Sequence, residues 1–162
     1  MSTVQSQGTR VVRRYRQTID AVPAVVFPLL CPERETEWLD GWRYRMVHSA
    51  SGLAEDGAVF TTPQAGEPDT VWIVVRHDAA ARAVAFARVT PGLTASVLTI
   101  AVSPHGPAQS HVDVAYTYTA LTPAGEQWIA AWTDEAFLAM MTFWERSMNH
   151  FLKTGARLPA GR

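Results

Sequence analysis

The sequence predicts one α+β domain. A curved antiparallel sheet of about seven strands wraps around a long C-terminal helix, with two short helices between strands 1 and 2. Three observations carry this. Between Trp42 and Ala131 the chain breaks into short β-branched and aromatic runs, spaced too closely by Gly- and Pro-containing turns for helical crossovers. In Thr133–Thr154 the period changes: Phe137, Met140, Met141, Trp144, Met148, Phe151 and Leu152 recur at three- and four-residue spacing, one face of a long helix. That apolar face must be buried, and the sheet is the one partner large enough to bury it.

Taken in order, Val11–Asp20 mixes β-branched and aromatic residues with polar ones and reads as the first strand. Asp20 stands where an N-cap belongs, with Pro23 in the first turn. Ala21–Leu30 therefore reads as a short, very apolar helix stopped by Cys31-Pro32. Glu33–Trp38 follows as a second short helix, ended by Asp40-Gly41. Six strand runs come next: Arg43–Ser49, Ala58–Thr62, Val71–His77, Val84–Thr90, Leu93–Val102 and His111–Leu121. Turns are expected at Glu55–Gly57, Gly66–Asp69, Pro91-Gly92 and Pro104–Pro107. Thr133-Asp134-Glu135 gives the final helix a cap and dipole-favourable charge, and Gly155 stops it. At about 1.5 Å per residue this helix spans about 30 Å, enough to cross a whole sheet. Residues 1–9 and 156–162 are expected as flexible tails around a domain at 10–155.

The 162 residues suit one domain, and 48% hydrophobic against 18% charged residues places the chain far from the disordered class. A net charge of −1 gives no global attraction to nucleic acid, so no nucleic-acid partner is expected. Arg10, Arg13, Arg14 and Arg16 make the start basic, but strand alternation splits Arg13 from Arg14 and Arg16, which reads as solvated strand edges. Cys31 is the sole cysteine, which rules out an internal disulfide and a cysteine-based zinc site. Met1–Thr9 is polar and lacks the apolar stretch of a signal peptide, and no apolar run approaches the ~18–20 residues of a membrane span. The expectation is a cytoplasmic monomer or homodimer.

Particular stretches carry a family resemblance. Cys31-Pro32-Glu33-Arg34-Glu35-Thr36-Glu37-Trp38 through Gly41-Trp42, then Val89-Thr90-Pro91-Gly92, Tyr116-Thr117-Tyr118-Thr119-Ala120-Leu121, and Trp144-Glu145 to Asn149–Gly155 resemble segments of the SRPBCC superfamily. This is the START/Bet v 1-like, polyketide cyclase/dehydrase-like group of helix-grip proteins. The resemblance covers roughly Val11 to Gly155 and implies a central cavity between sheet and C-terminal helix. Members bind lipids, hormones or polyketides, cyclise or dehydrate substrates, or assist chaperones, so it specifies fold more than function. It carries no invariant catalytic motif onto this chain.

The residues favour the same cavity through six Trp, four Tyr, six Phe and five Met. Met140, Met141, Trp144 and Met148 share the inward face of the long helix, and methionine suits varied apolar ligands, although ordinary core packing is the commoner use of any single one of them. Tyr44, Met46 and His48 share one face of their strand, and Val112, Val114, Tyr116 and Tyr118 one face of theirs; both faces are expected inward. Val71–Val75 is apolar on both faces, so the parity of Trp72 cannot be read. The candidate ligand contacts are Trp38, Trp42, Tyr44, Met46, His48, Phe60, Trp72, Phe86, Tyr116, Tyr118, Phe137, Met140, Met141, Trp144 and Met148.

Catalytic candidates are few: His48 as a general acid or base, with Tyr116 and Tyr118. His77 and His105 fall at turns, and no two histidines have metal-site spacing, so neither a metal nor a cofactor is expected. Glu33, Glu35, Glu37 and Asp40 form a carboxylate cluster beside Trp38 and Trp42, with two readings: a frame for the cavity entrance or source of an acid, and, preferred, the wet side of a short helix whose tryptophans cap the core. Lys153-Thr154-Gly155 echoes a β-lactamase motif, but Lys153 is the only lysine, so the partner Ser-x-x-Lys cannot exist. Cys31 before Pro32 reads as packing. Three functions stay open: a carrier of a small hydrophobic or aromatic molecule, a metal-free cyclase or dehydratase, and a protein-interaction module of the chaperone-activator kind.

Overall fold

The computed structural model describes residues 8–161; most of the expected N-terminal tail lies outside them. Seven strands form one antiparallel sheet: β1 (Arg10–Ile19), β2 (Arg45–His48), β3 (Val59–Gln64), β4 (Glu67–Asp78), β5 (Ala83–Thr90), β6 (Thr94–His105) and β7 (Gln109–Ala120), in the order β1-β7-β6-β5-β4-β3-β2. First and last strands are neighbours, so β1 and β2 become the sheet's two edges. Helices α1 (Pro23–Val26) and α2 (Pro32–Trp38) connect β1 to β2, while α3 (Pro123–Ala131) and α4 (Asp134–Thr154) follow β7.

Alternation sorts the side chains of β7 from Gln109 to Thr119: Val112, Val114, Tyr116 and Tyr118 are buried, and the residues between them are partly exposed. In β4, Thr70, Trp72 and Val74 face inward, which settles the parity the sequence left open. Helix α4 lies against this face and buries Phe137, Met141, Trp144, Ser147 and Met148. It is clipped to β1 by polar groups. The Thr18 N–H donates to Glu145 Oε2 at 2.6 Å, the Asp20 N–H donates to Asn149 Oδ1 at 2.8 Å, and Gln17 Nε2 donates to the Met141 carbonyl at 3.1 Å. The edge strand is thereby capped from one side by side chains of the helix.

Trp38 is fully buried, and its indole N–H donates to the Leu29 carbonyl at 3.0 Å. Removing a tryptophan of this kind from water is worth on the order of 4 kcal/mol before entropy is counted. It anchors the short helices to α4 through an edge-on contact with Trp144, ring centroids 6.3 Å apart.

Several local expectations are corrected. Asp20 does not cap α1; Val22 stands at the cap without a side-chain bond, and Asp20 accepts a hydrogen bond from Gln109 Nε2. The single helix expected over Ala21–Leu30 is split, with a 3-10 turn at Phe27–Leu29, because Pro28 lacks the N–H a continuing α-helix needs. The turn before β4 shortens to Ala65-Gly66, with Gly66 at φ +73°, and β6 runs on to His105. Within the stretch read as strands, Pro123–Ala131 is helical: Thr122 Oγ1 caps it by accepting from the Gly125 N–H at 3.2 Å, and Pro123 opens its first turn. Residues 156–161 fold back: Leu158 bridges Leu39, and the Ala160 N–H donates to Asp40 Oδ2 at 2.9 Å.

Candidate functional site

Between the inner face of the sheet, α3 and α4 lies a cavity of about 360 Å³. Its walls are Thr62 and Gln64 of β3, Trp72 of β4, Arg88 of β5, Tyr116 and Tyr118 of β7, Trp128 of α3, Trp132 at the C-terminal cap of α3, and Met140 and Trp144 of α4. Trp42 closes one side, and exposed Gly41, Arg43 and Pro63 form the rim. Five of the six tryptophans therefore meet one space, a volume within the range of small-molecule sites.

Two aromatic groups build these walls. In one, Phe60 stacks on Trp72 at 5.2 Å, Phe86 meets Trp72 edge-on at 5.7 Å, and Trp42 does so at 6.2 Å. In the other, Tyr116 and Tyr118 stack at 5.3 Å, Tyr118 packs on Trp128 at 5.4 Å, and Trp128 stacks on Trp132 at 5.7 Å. Arg88 joins the groups. Its guanidinium carbon lies 4.2 Å from the Trp72 ring centre and 5.5 Å from that of Tyr116.

The polar chemistry of the cavity is donor-rich. No carboxylate lines it, and Arg88 has no salt-bridge partner among the described residues. Burial pushes the Tyr118 hydroxyl pKa up, while Arg88 and the Trp132 indole, lying close to that oxygen, partly offset the rise. Yet Arg88 Nε and Trp132 Nε1 are both buried with no acceptor in hydrogen-bond geometry. Burial also raises the Tyr116 hydroxyl, against the opposing pull of Arg88. Behind Trp132, Arg13 Nη2 donates to its carbonyl at 2.9 Å and Arg13 Nη1 pairs with Asp134 at 2.5 Å, tethering the α3–α4 junction to β1.

The structure places the sequence candidates in three groups. Trp42, Trp72, Tyr116, Tyr118, Met140 and Trp144 line the cavity. Trp38, Phe60, Phe86, Phe137, Met141 and Met148 are buried behind that lining. Tyr44 is half-buried and donates its hydroxyl to Glu33, and Met46 is half-buried against the core. His48 departs from the expected inward face. A bulge between Met46 and His48 breaks the alternation, leaving His48 exposed opposite Val59.

Sequence reasoning missed Arg88, Trp128 and Trp132. Arg88 carried a legible signal, since it shares strand parity with Val84 and Phe86, both buried. The tryptophans sit four apart on a helix announced by Thr122-Pro123. Of the acidic cluster, Glu35 turns inward. It is buried on α2 with neither a hydrogen-bond nor an ion-pair partner for its carboxyl among the described residues, and desolvation pushes its pKa up to about 8. His105 and His111 stack at 3.9 Å across the β6–β7 hairpin, away from the cavity. Among the described residues no three His, Cys, Asp or Glu side chains converge, and no helix is long and apolar enough to cross a membrane.

No protein-family model matches the chain, and no curated protein sequence is significantly similar to it. Solved structures do match. Norcoclaurine synthase from Thalictrum flavum, in complex with dopamine and hydroxybenzaldehyde, superposes with a TM-score of 0.64 at 15% identity, covering 91% of this chain and 89% of that one. Ara h 8.0201 gives 0.65 at 10% identity over 90% and 99% of the two chains. The Zhui aromatase/cyclase from Streptomyces gives 0.62 at 11% identity over 93% and 100%. With its seven-stranded antiparallel sheet, two short helices after β1 and long C-terminal helix, the chain has the helix-grip fold of the SRPBCC, or Bet v 1-like, proteins.

Proposed function

We propose that the chain binds a small hydrophobic or aromatic molecule, of lipid- or polyketide-like character, in the cavity between sheet and α4. One observation carries the reading: the cavity walled by five tryptophans and two tyrosines retains about 360 Å³ that its own side chains leave unfilled. Close packing is the norm for a protein interior, and an unfilled apolar space of this size costs stability that a ligand restores. The similarity to a fold neighbour solved with dopamine and hydroxybenzaldehyde supports an aromatic ligand.

A second reading, a metal-free cyclase or dehydratase, draws on Arg88 beside Tyr116 and Tyr118, because a fixed cation next to phenols stabilises developing negative charge on an oxygenated ring. His48 has no place in it, being exposed on β2.

The test is to extract purified protein under denaturing conditions, search the extract by mass spectrometry, and run a thermal-shift screen of polyaromatic compounds in parallel. A ligand of the native state raises the melting temperature by mass action. A retained molecule, or a shift lost in Trp144→Ala and reduced in Tyr116→Phe, supports binding. Conversion of a compound on incubation would favour the enzyme. An empty protein unmoved by the whole panel counts against both.

A further inference from the structure

Resting on that reading of the cavity, we infer that its ligand is an acid: an aromatic molecule whose carboxylate, or equivalent oxyanion, sits against Arg88 and the Trp132 indole N–H. Four observations lead here. The charged and N–H groups facing the cavity beside the tyrosines, the Arg88 guanidinium and the Trp132 indole, are donors only, while the nearby Tyr116 and Tyr118 hydroxyls can both donate and accept. No Asp or Glu lines the walls to balance the charge of Arg88. Arg88 Nε and Trp132 Nε1 are withdrawn from water without acceptors, a state that costs free energy unless a bound group supplies the oxygens. The Trp72 and Tyr116 rings fix the guanidinium in place, and a planar guanidinium with free N–H groups matches the two oxygens of a carboxylate.

The nearby interior carboxyl does not serve as the missing counter-ion. Glu35 is outside the cavity wall, and burial keeps its carboxyl protonated at neutral pH. The rest of the lining, with Trp42, Met140 and Trp144, is aromatic and thioether surface, and its other charged side chain, Arg43, is an exposed cation on the rim. The arrangement thus asks for a molecule that combines an apolar ring system with negative charge.

The experiment is isothermal titration of the full chain with two probes of the same shape, 2-naphthoate and 2-naphthamide, at neutral pH and low salt. The acid is expected to bind at least tenfold tighter than the amide. Arg88→Gln should remove that preference by bringing the acid down to the amide's level, and Arg88→Lys should retain part of it. Trp132→Phe, which keeps the ring and deletes the N–H, checks the second donor without depending on how the Arg88 variants fold, and should narrow the preference. Equal binding of acid and amide, or a preference untouched in Arg88→Gln, overturns the acid inference and leaves the aromatic cavity standing. Failure of both probes to bind overturns the inference together with the binding function it rests on.

Discussion

Arg88 on β5 holds its guanidinium 4.2 Å from the centre of the Trp72 ring on β4, and this contact joins the two aromatic groups that wall the cavity. Strand pairing enforces it. Trp72 and Arg88 are directly opposed in the β4–β5 register and both face inward, so the pairing sets the cation beside the ring. Trp72 is further fixed by its indole N–H, which donates to Thr62 Oγ1 at 2.9 Å. Trp72→Leu should therefore do two things at once: lower stability by about 3 kcal/mol through lost packing, and release Arg88. Denaturant unfolding measures the first, and a drop in ligand affinity larger than that of Phe86→Leu reports the second.

Glu35 makes stability depend on pH with a definite sign. Its carboxyl is raised in the folded protein to about 8 by desolvation, so the folded state holds a proton that the unfolded chain releases near its ordinary value. Stability is fully present below the unfolded pKa and falls as pH rises through the window up to about 8. The loss has an upper bound on the order of 5 kcal/mol. Glu35→Gln should flatten this part of the profile and be more stable than the parent protein at pH 8. Urea unfolding at pH 5 and pH 8 decides it, and parallel profiles for both proteins would contradict it.

Gly125 positions α3. A Cβ at that residue would overlap the Leu93 carbonyl oxygen and crowd the Leu93 carbonyl carbon, both backbone atoms without a flexible way out. Gly125→Ala should displace α3 and with it Trp128 and Trp132, costing at least about 2 kcal/mol and weakening ligand binding. Near-ultraviolet circular dichroism follows the indoles, and a wild-type spectrum would argue against a tight seat for α3.

The clip between β1 and α4 is a separate test of architecture. Glu145 accepts from the Thr18 backbone N–H at 2.6 Å and from the Tyr15 hydroxyl at 3.3 Å. Glu145→Ala leaves a backbone donor without its charged acceptor and should cost about 1–3 kcal/mol. Hydrogen exchange at Thr18 should quicken more than elsewhere in β1. His48→Ala is the opposite case: an exposed side chain beyond a bulge, its loss should change stability by less than about 0.5 kcal/mol and leave ligand binding unaltered.

Much of this architecture was legible because it rests on period. Alternation in β7 exposed Tyr116 and Tyr118 as an inward pair, and the three- and four-residue spacing of Phe137, Met141, Trp144 and Met148 found the buried face of α4. What failed did so where a local rule was overridden. His48 was assigned by parity, and a bulge, which depends on the partner strand, cancelled the parity. The residues of α3 were absorbed into the strand region because WIAAW is as apolar and aromatic as the strands before it, although Thr122-Pro123 announced a helix start. Arg88 has inward parity in β5, but an arginine at an inward position makes sense only once the two aromatic rings that receive it are known. Glu35 was placed on the wet side of its helix; seven residues are too few turns to define which side is wet.

A crystal structure of the protein soaked with 2-naphthoate tests the central claim most directly. The account predicts the naphthalene rings inside the cavity among Trp42, Trp72 and Trp144, with the carboxylate on Arg88. Naphthoate found only on the outer surface, or a cavity closed by its own tryptophans with no room for the rings, would contradict it.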